Sequence, residues 1–225
     1  MTPNRQHTFR PRPGLALPVR DAGTGSPVLV LHGGPGPDSV TPLVEHLAAR
    51  HRVLAPTHPG WDGTPRPGGL DSVTALAAVH LDLLAGLDLL GVTVVGTSFG
   101  GWAAARMAVG DRDGRISRLV LIDAIGPDIP GQAVTPPAGR LSALDAYTGR
   151  GMHDPELLPA LAAVTYPVLV LWGAEDKVVT PDFGAAYAAA FPDGRFVLVP
   201  GAGHLPIREE PEAVLTALDA FLAAP

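Results

Sequence analysis

Three residues suited to acyl-transfer chemistry follow one another along this chain in the order Ser, Asp, His. Ser98 sits in Gly96-Thr97-Ser98-Phe99-Gly100, with Gly101 next. The apolar run Val92-Thr93-Val94-Val95 precedes it, and a stretch of small residues from Gly101 to Val109 follows. A strand, a tight glycine-flanked turn and a helix would lift a serine hydroxyl clear of a sheet. The helix N-terminus would add amide donors and a dipole favourable to negative charge. Taken alone, the pentapeptide could equally be a Gly-rich turn with Ser98 as a helix cap. Asp176 follows Leu171-Trp172-Gly173-Ala174-Glu175, and His204 follows Gly201-Ala202-Gly203, each just past an apolar run. In an open α/β sheet such positions, at the carboxyl ends of strands, face the ligand crevice. The chemistry they would perform is a proton path: His204 takes the Ser98 proton, while Asp176 fixes the imidazole tautomer and stabilises its cation.

An acyl-transfer site also needs two amide donors aimed at the developing oxyanion. The amide of Phe99, next after the nucleophile, is one candidate. The loop His32-Gly33-Gly34-Pro35-Gly36 supplies the other, at Gly34, although the loop could also be a plain Gly/Pro turn. Val179 and Leu205, beside the motif residues, are candidates to line an acyl pocket, as is the Phe99 side chain. Residues of these types are more often core. Asp123, which ends an apolar run, is an alternative acid to Asp176. His32 reads as a structural hydrogen bonder. His46, His51, His58, His80 and His153 read as surface or internally satisfied residues, with His153 inside a lid segment. Glu209, Glu210 and Pro211 read as a helix start.

The elements that must position these groups are legible as apolar runs. Residues 28–31, 53–55, 92–95, 119–122, 168–171 and 196–199 are continuous Val/Leu/Ile-rich stretches bounded by Gly, Pro or Asp. Continuous runs suit strands covered on both faces, hence a parallel sheet. Helical patterns lie between them, over 43–50, 72–87, 101–109, 181–191 and 211–222, with Ser72 and Thr180 as N-caps. The βαβα order predicts an α/β fold: a mostly parallel central sheet with helices on both faces. Residues 7–22 suggest two irregular strands at an antiparallel edge. Residues 61–69 form a Gly/Pro loop. The segment 126–167 is Pro/Gly-rich at first, through Pro127, Pro130, Pro136 and Pro137, and could hold one short helix over 155–164.

Composition narrows the chemistry. There is no cysteine among the 225 residues, which excludes disulfides, a thiolate nucleophile and cysteine metal sites. The net charge is −6 and no Lys/Arg-rich run occurs, which argues against nucleic-acid and anionic-membrane partners. The chain contains 27 Gly and 25 Pro, about twice average usage, but 46% hydrophobic residues, so these residues read as turns between elements. The polar N-terminal residues carry no apolar export signal, and no apolar run approaches a membrane span, so a soluble cytoplasmic protein is expected. No phosphate-binding loop, dinucleotide loop or H-E-x-x-H metal pair is present, and neither metal nor cofactor is expected.

The chain resembles the α/β-hydrolase superfamily, in the branch that includes small esterases, cofactor-free haloperoxidases and proline iminopeptidases. The resemblance rests on residues 32–36, on His58-Pro59-Gly60-Trp61-Asp62-Gly63, and on residues 96–101, 173–176 and 203–204, spanning nearly the whole chain. It implies Ser98 as nucleophile, Asp176 as acid, His204 as base, and Gly34 with Phe99 as oxyanion hole. Two departures stand out. The segment 126–167 is short for the helical cap of this superfamily, and Phe99 stands where proline iminopeptidases typically carry Trp. A Ser at the elbow disfavours the haloalkane dehalogenases and epoxide hydrolases, which use Asp there. The expected protein is one domain, residues 1–225, with a reduced lid, cleaving a carboxylic ester or similar small acyl compound. Amidase, aminopeptidase or C–C bond hydrolysis with the same triad, a non-catalytic ligand-binding module, and a cofactor-free lyase or haloperoxidase-like activity are the alternatives. Nothing in the sequence specifies an oligomer.

Overall fold

The computed structural model describes residues 4–135, 142–149 and 151–224. In chain order the elements are β1 (Asn4–Arg12), β2 (Leu15–Ala22), β3 (Pro27–Leu31), α1 (Thr41–Leu47), β4 (Arg52–Pro56), α2 (Val73–Gly86), β5 (Val92–Thr97), α3 (Phe99–Gly110) and β6 (Ile116–Ile122). They continue with β7 (Gly126–Pro127), α4 (Ser142–Thr148), β8 (His153–Asp154), α5 (Leu157–Ala160), β9 (Val168–Gly173), α6 (Pro181–Ala189), β10 (Gly194–Val199), α7 (Pro206–Glu209) and α8 (Pro211–Leu222). Eight strands form one sheet in the order β1-β2-β4-β3-β5-β6-β9-β10. The six strands from β4 to β10 run parallel. β1 and β2 add an antiparallel edge, as the irregular N-terminal run predicted.

The unbroken apolar runs have a direct structural meaning. Alternate residues of one strand feed opposite cores, because side chains along a strand point to alternate faces. In β3, Leu29 and Leu31 join the core under α2, α3 and α6, whereas Val28 and Val30 join the core under α1 and α8. In β9, Val168, Val170 and Trp172 serve the first core and Leu169 and Leu171 the second. Ser72 caps α2 by accepting from the Ala75 amide at 3.2 Å, and Thr180 caps α6 by accepting from the Phe183 amide at 3.3 Å.

Strand order also locates the site. From β3 the chain moves outward to β4, then crosses to β5 on the other side of β3. The carboxyl ends of β3 and β5 therefore flank the point where the winding reverses, the usual crevice of an open α/β sheet. The loop 32–36 leaves β3 there, and Ser98 leaves β5.

The segment 126–167 holds more than the single helix expected over 155–164. α5 falls in that stretch, but α4 precedes it, and β7 pairs with β8. Pro136 and Pro137 lie outside the described residues. α4 starts beyond them, where Leu144 and Tyr147, three residues apart, share a buried face. No helix among the described residues is long and apolar enough to cross a membrane.

Candidate active site

Ser98 has φ 50° and ψ −117°, outside the regions a non-glycine residue normally occupies. Its amide is held by Ile122 O at 2.9 Å, and its carbonyl accepts from Gly101 N at 2.9 Å. A Cβ at Gly100 would overlap the Leu31 and His32 carbonyls, so β3, β5 and α3 converge here only because that position is bare. Ser98 occupies the N-cap position of α3 but makes no side-chain cap bond. Its Oγ instead meets His204 Nε2 at 2.9 Å.

His204 Nδ1 lies 2.8 Å from Asp176 Oδ2. The other Asp176 oxygen accepts from the amides of Val178 at 2.7 Å and Val179 at 3.1 Å. A carboxylate accepting on both oxygens assigns the His204 proton to Nδ1, leaving Nε2 free to accept from the Ser98 hydroxyl. The three residues singled out by order are thus brought into one hydrogen-bonded line. A device the sequence did not reveal holds the His204 loop. Glu209, read as part of a helix start, turns its carboxylate back onto the amides of Gly203 and Leu205, on either side of His204.

The loop after β3 is oriented by three buried histidines and a tryptophan. His58 donates its backbone N–H to His32 Nε2 at 3.0 Å, so the His32 proton is on Nδ1, which donates to Gly33 O at 2.8 Å. His58 Nε2 donates to His32 O at 3.0 Å, leaving His58 Nδ1 to accept from His80 Nε2 at 3.1 Å. The resulting chain runs His80 to His58 to His32 to Gly33 O in one direction. Gly33 C=O and Gly34 N–H belong to one trans peptide and point to opposite sides. Holding the carbonyl therefore aims the Gly34 amide the other way. Trp61 Nε1 fixes the next peptide by donating to Gly34 O at 2.9 Å. Among the described residues neither Gly34 N–H nor Phe99 N–H has a protein acceptor.

All three histidines are fully buried. Burial lowers His32 to a pKa of about 4, opposed by its bond to Gly33. Burial, with the neighbouring His32, lowers His80 to about 3. His58 is driven well below its ordinary value by burial first, then by His32 and His80. They are neutral at physiological pH, as the one-way hydrogen-bond chain requires.

Ser98 and His204 open onto a cavity of about 260 Å³ lined by Gly34, Pro35, Ile125, Val134, Leu144, Met152, Val178, Leu205 and Glu209. Of the candidates to line an acyl pocket, Leu205 is on this cavity and Val179 is not. Val179 is fully buried in the core, its amide on Asp176 and its carbonyl accepting from Trp172 Nε1 at 3.0 Å. Val178, one residue earlier, takes the lining position. The Phe99 side chain is likewise core: it is fully buried and stacks on Trp61 at 5.3 Å, so Phe99 can offer the site only its amide. Of the other histidines, His46 bonds Asp219 at 2.8 Å, and His153 lies exposed.

A hydroxyl, an imidazole and a carboxylate in one line are the groups that nucleophilic attack on a carbonyl carbon would call on.

A family model described as alpha/beta hydrolase fold matches residues 26–141, and a second, described as alpha/beta hydrolase family, matches residues 135–217. The chain is 28% identical to BpoC of Mycobacterium tuberculosis H37Rv, which carries a provisional non-heme bromoperoxidase name, over 93% of this chain and 98% of that protein. It is 27% identical to a 2-hydroxy-6-oxononadienedioate/2-hydroxy-6-oxononatrienedioate hydrolase of Dechloromonas aromatica, over 84% of each. Among solved structures it is similar to a thermophilic esterase from Thermogutta terrifontis, with a TM-score of 0.79, 26% identity and 98% coverage of both chains.

Proposed function

The chain belongs to the alpha/beta hydrolase family, and on that premise we propose that it is a serine hydrolase cleaving carboxylic esters of short or medium acyl chains. The observation that carries this reading is the Ser98 Oγ to His204 Nε2 contact of 2.9 Å, continued by His204 Nδ1 to Asp176 Oδ2 at 2.8 Å, opening onto an apolar cavity.

In this reading Ser98 Oγ attacks the ester carbonyl carbon as His204 Nε2 takes its proton. The carbonyl oxygen becomes an oxyanion between the amides of Gly34 and Phe99. His204 returns the proton to the leaving alcohol, and an acyl-enzyme remains on Ser98. Water, deprotonated by His204, then releases the acid. Asp176 stabilises the imidazolium in both halves without itself taking the proton.

The lining favours an uncharged acyl group. Among its described residues the ionisable ones are His204 and Glu209, with no Lys or Arg to receive a carboxylate. The Dechloromonas relative is named for a dioate, whose carboxylates would call for such a cation. Ester cleavage is therefore preferred here to C–C hydrolysis of a dicarboxylate. A panel of p-nitrophenyl acetate, butyrate, octanoate and palmitate tests the reading. Turnover is expected to peak at the short or medium chains, with no jump at the solubility limit. A preference for palmitate, or activity only on dispersed lipid, would contradict it. Absence of turnover on every ester and anilide offered would favour the non-catalytic binding module.

A further inference from the structure

Beside the line of three lies a second carboxyl group that the mechanism above does not use. Asp123 follows β6 in a left-handed backbone conformation, φ 44°, fixed by its amide on Leu171 O at 3.0 Å. Its side chain is fully buried. Oδ1 accepts from Gly173 N at 2.9 Å, while Oδ2 has no hydrogen-bond partner among the described residues. One donor atom from each of Asp123, Asp176 and His204 can be chosen so that all lie within 4.8 Å of one another. Asp176 Oδ2 and His204 Nδ1 are already committed to each other.

Both carboxyl groups are buried, and ionising two buried carboxyls this close to each other is strongly disfavoured. Asp176 has two backbone amides and the His204 N–H as donors, whereas Asp123 has one amide. Among the described residues the ionisable groups that face Asp123 are Asp176, His204 and Glu209, so two of the three are acidic. Burial first, then Asp176, pushes the Asp123 carboxyl well above its ordinary range, against the opposing pull of the Gly173 amide. In its neutral form, the Asp123 carboxyl gains an O–H that the neighbouring Asp176 carboxylate can accept.

We propose that Asp123 is a positioning residue: a neutral carboxylic acid whose proton is directed at Asp176, tempering the negative charge that Asp176 presents to His204. This rests on the hydrolase reading of Ser98, Asp176 and His204. By drawing on the Asp176 charge, Asp123 makes the imidazolium that forms on His204 during turnover less favourable.

The sign of one pH shift tests this. Asparagine at 123 keeps an oxygen for the Gly173 amide and an N–H for Asp176. Asp123→Asn is therefore expected to hold kcat/KM within about twofold, with its acid limb unmoved. Asp123→Ala removes the donor, and the acid limb is expected to rise by about half a pH unit or more, the scale of one hydrogen bond. An ionised Asp123 would give the opposite result, because both substitutions would remove a negative charge and lower the limb. That outcome, or a loss of several orders of magnitude in Asp123→Asn, overturns the proposal. If Asp123→Ala does not fold by circular dichroism, Asp123→Asn decides alone. Asp176→Asn, run in parallel, keeps the two claims apart. Its expected loss is up to ~10⁴ in kcat. A fully active Asp176→Asn would sink the triad reading, whatever Asp123 does.

Discussion

Replacing His80 by glutamine removes one of three buried histidines while keeping an N–H donor for His58 Nδ1. His32, His58 and His80 are neutral when folded, with His32 near 4 and His80 near 3, against an ordinary value of 6.5 in the unfolded chain. A histidine with a depressed folded pKa takes up its proton first in the unfolded chain. Its contribution is complete above 6.5 and is lost as pH falls from there toward the folded value. Between pH 7.5 and pH 5, His32 and His80 each cost the folded state about 2 kcal/mol, a large part of a typical total stability, and His58 acts in the same direction. Urea denaturation followed by the fluorescence of the buried Trp61, Trp102 and Trp172 gives stability across this range. Wild type is expected to lose more stability on acidification than His80→Gln, by about 2 kcal/mol over the interval. Groups elsewhere titrate identically in both proteins and cancel from the difference. Parallel stability curves for the two would refute the assignment of a neutral, buried His80.

Two further outcomes follow from the packing around the elbow. Gly100→Ala is expected to destabilise the fold by about 1–3 kcal/mol in thermal denaturation, because its Cβ meets the Leu31 and His32 carbonyls. Trp61→Phe keeps an aromatic ring against Phe99 but loses the bond to Gly34 O. It is expected to lower kcat about tenfold with KM little changed, as an oxyanion donor becomes less well held.

The strands were legible because their physics is local. Runs such as Val28–Leu31 and Val168–Leu171 are apolar at every position, and only a sheet covered on both faces buries them all. The order Ser98, Asp176, His204 was legible for a related reason, since each residue lies within five positions of the end of such a run. What escaped depends on direction and distance. Val178 and Val179 are identical in type, and only the turn that sends both amides to Asp176 decides which side chain faces the cavity. His32, His58 and His80 lie 26 and 22 residues apart, and nothing local marks their rings as one chain. His32 had read as a structural hydrogen bonder, but its partners came only with the fold. Glu209 sits where a helix start is expected, and its role holding the His204 loop depends on a turn back through the Leu205 and Pro206 region. α4 follows a proline-rich stretch that suggested loop, and its buried Leu144 and Tyr147 form too short a stripe to announce a helix.

The central claim is that Ser98 is the nucleophile, and covalent labelling tests it most directly. A fluorophosphonate probe attacks a serine only where a base activates it and amides receive the negative oxygen. Purified protein is treated with the probe, digested and mapped by mass spectrometry, alongside Ser98→Ala of unchanged thermal midpoint. One adduct is expected, on Ser98, with none in the variant, together with a loss of ester turnover on the order of 10³-fold or more in Ser98→Ala. An adduct on another residue, or undiminished turnover by a folded Ser98→Ala, would contradict the account.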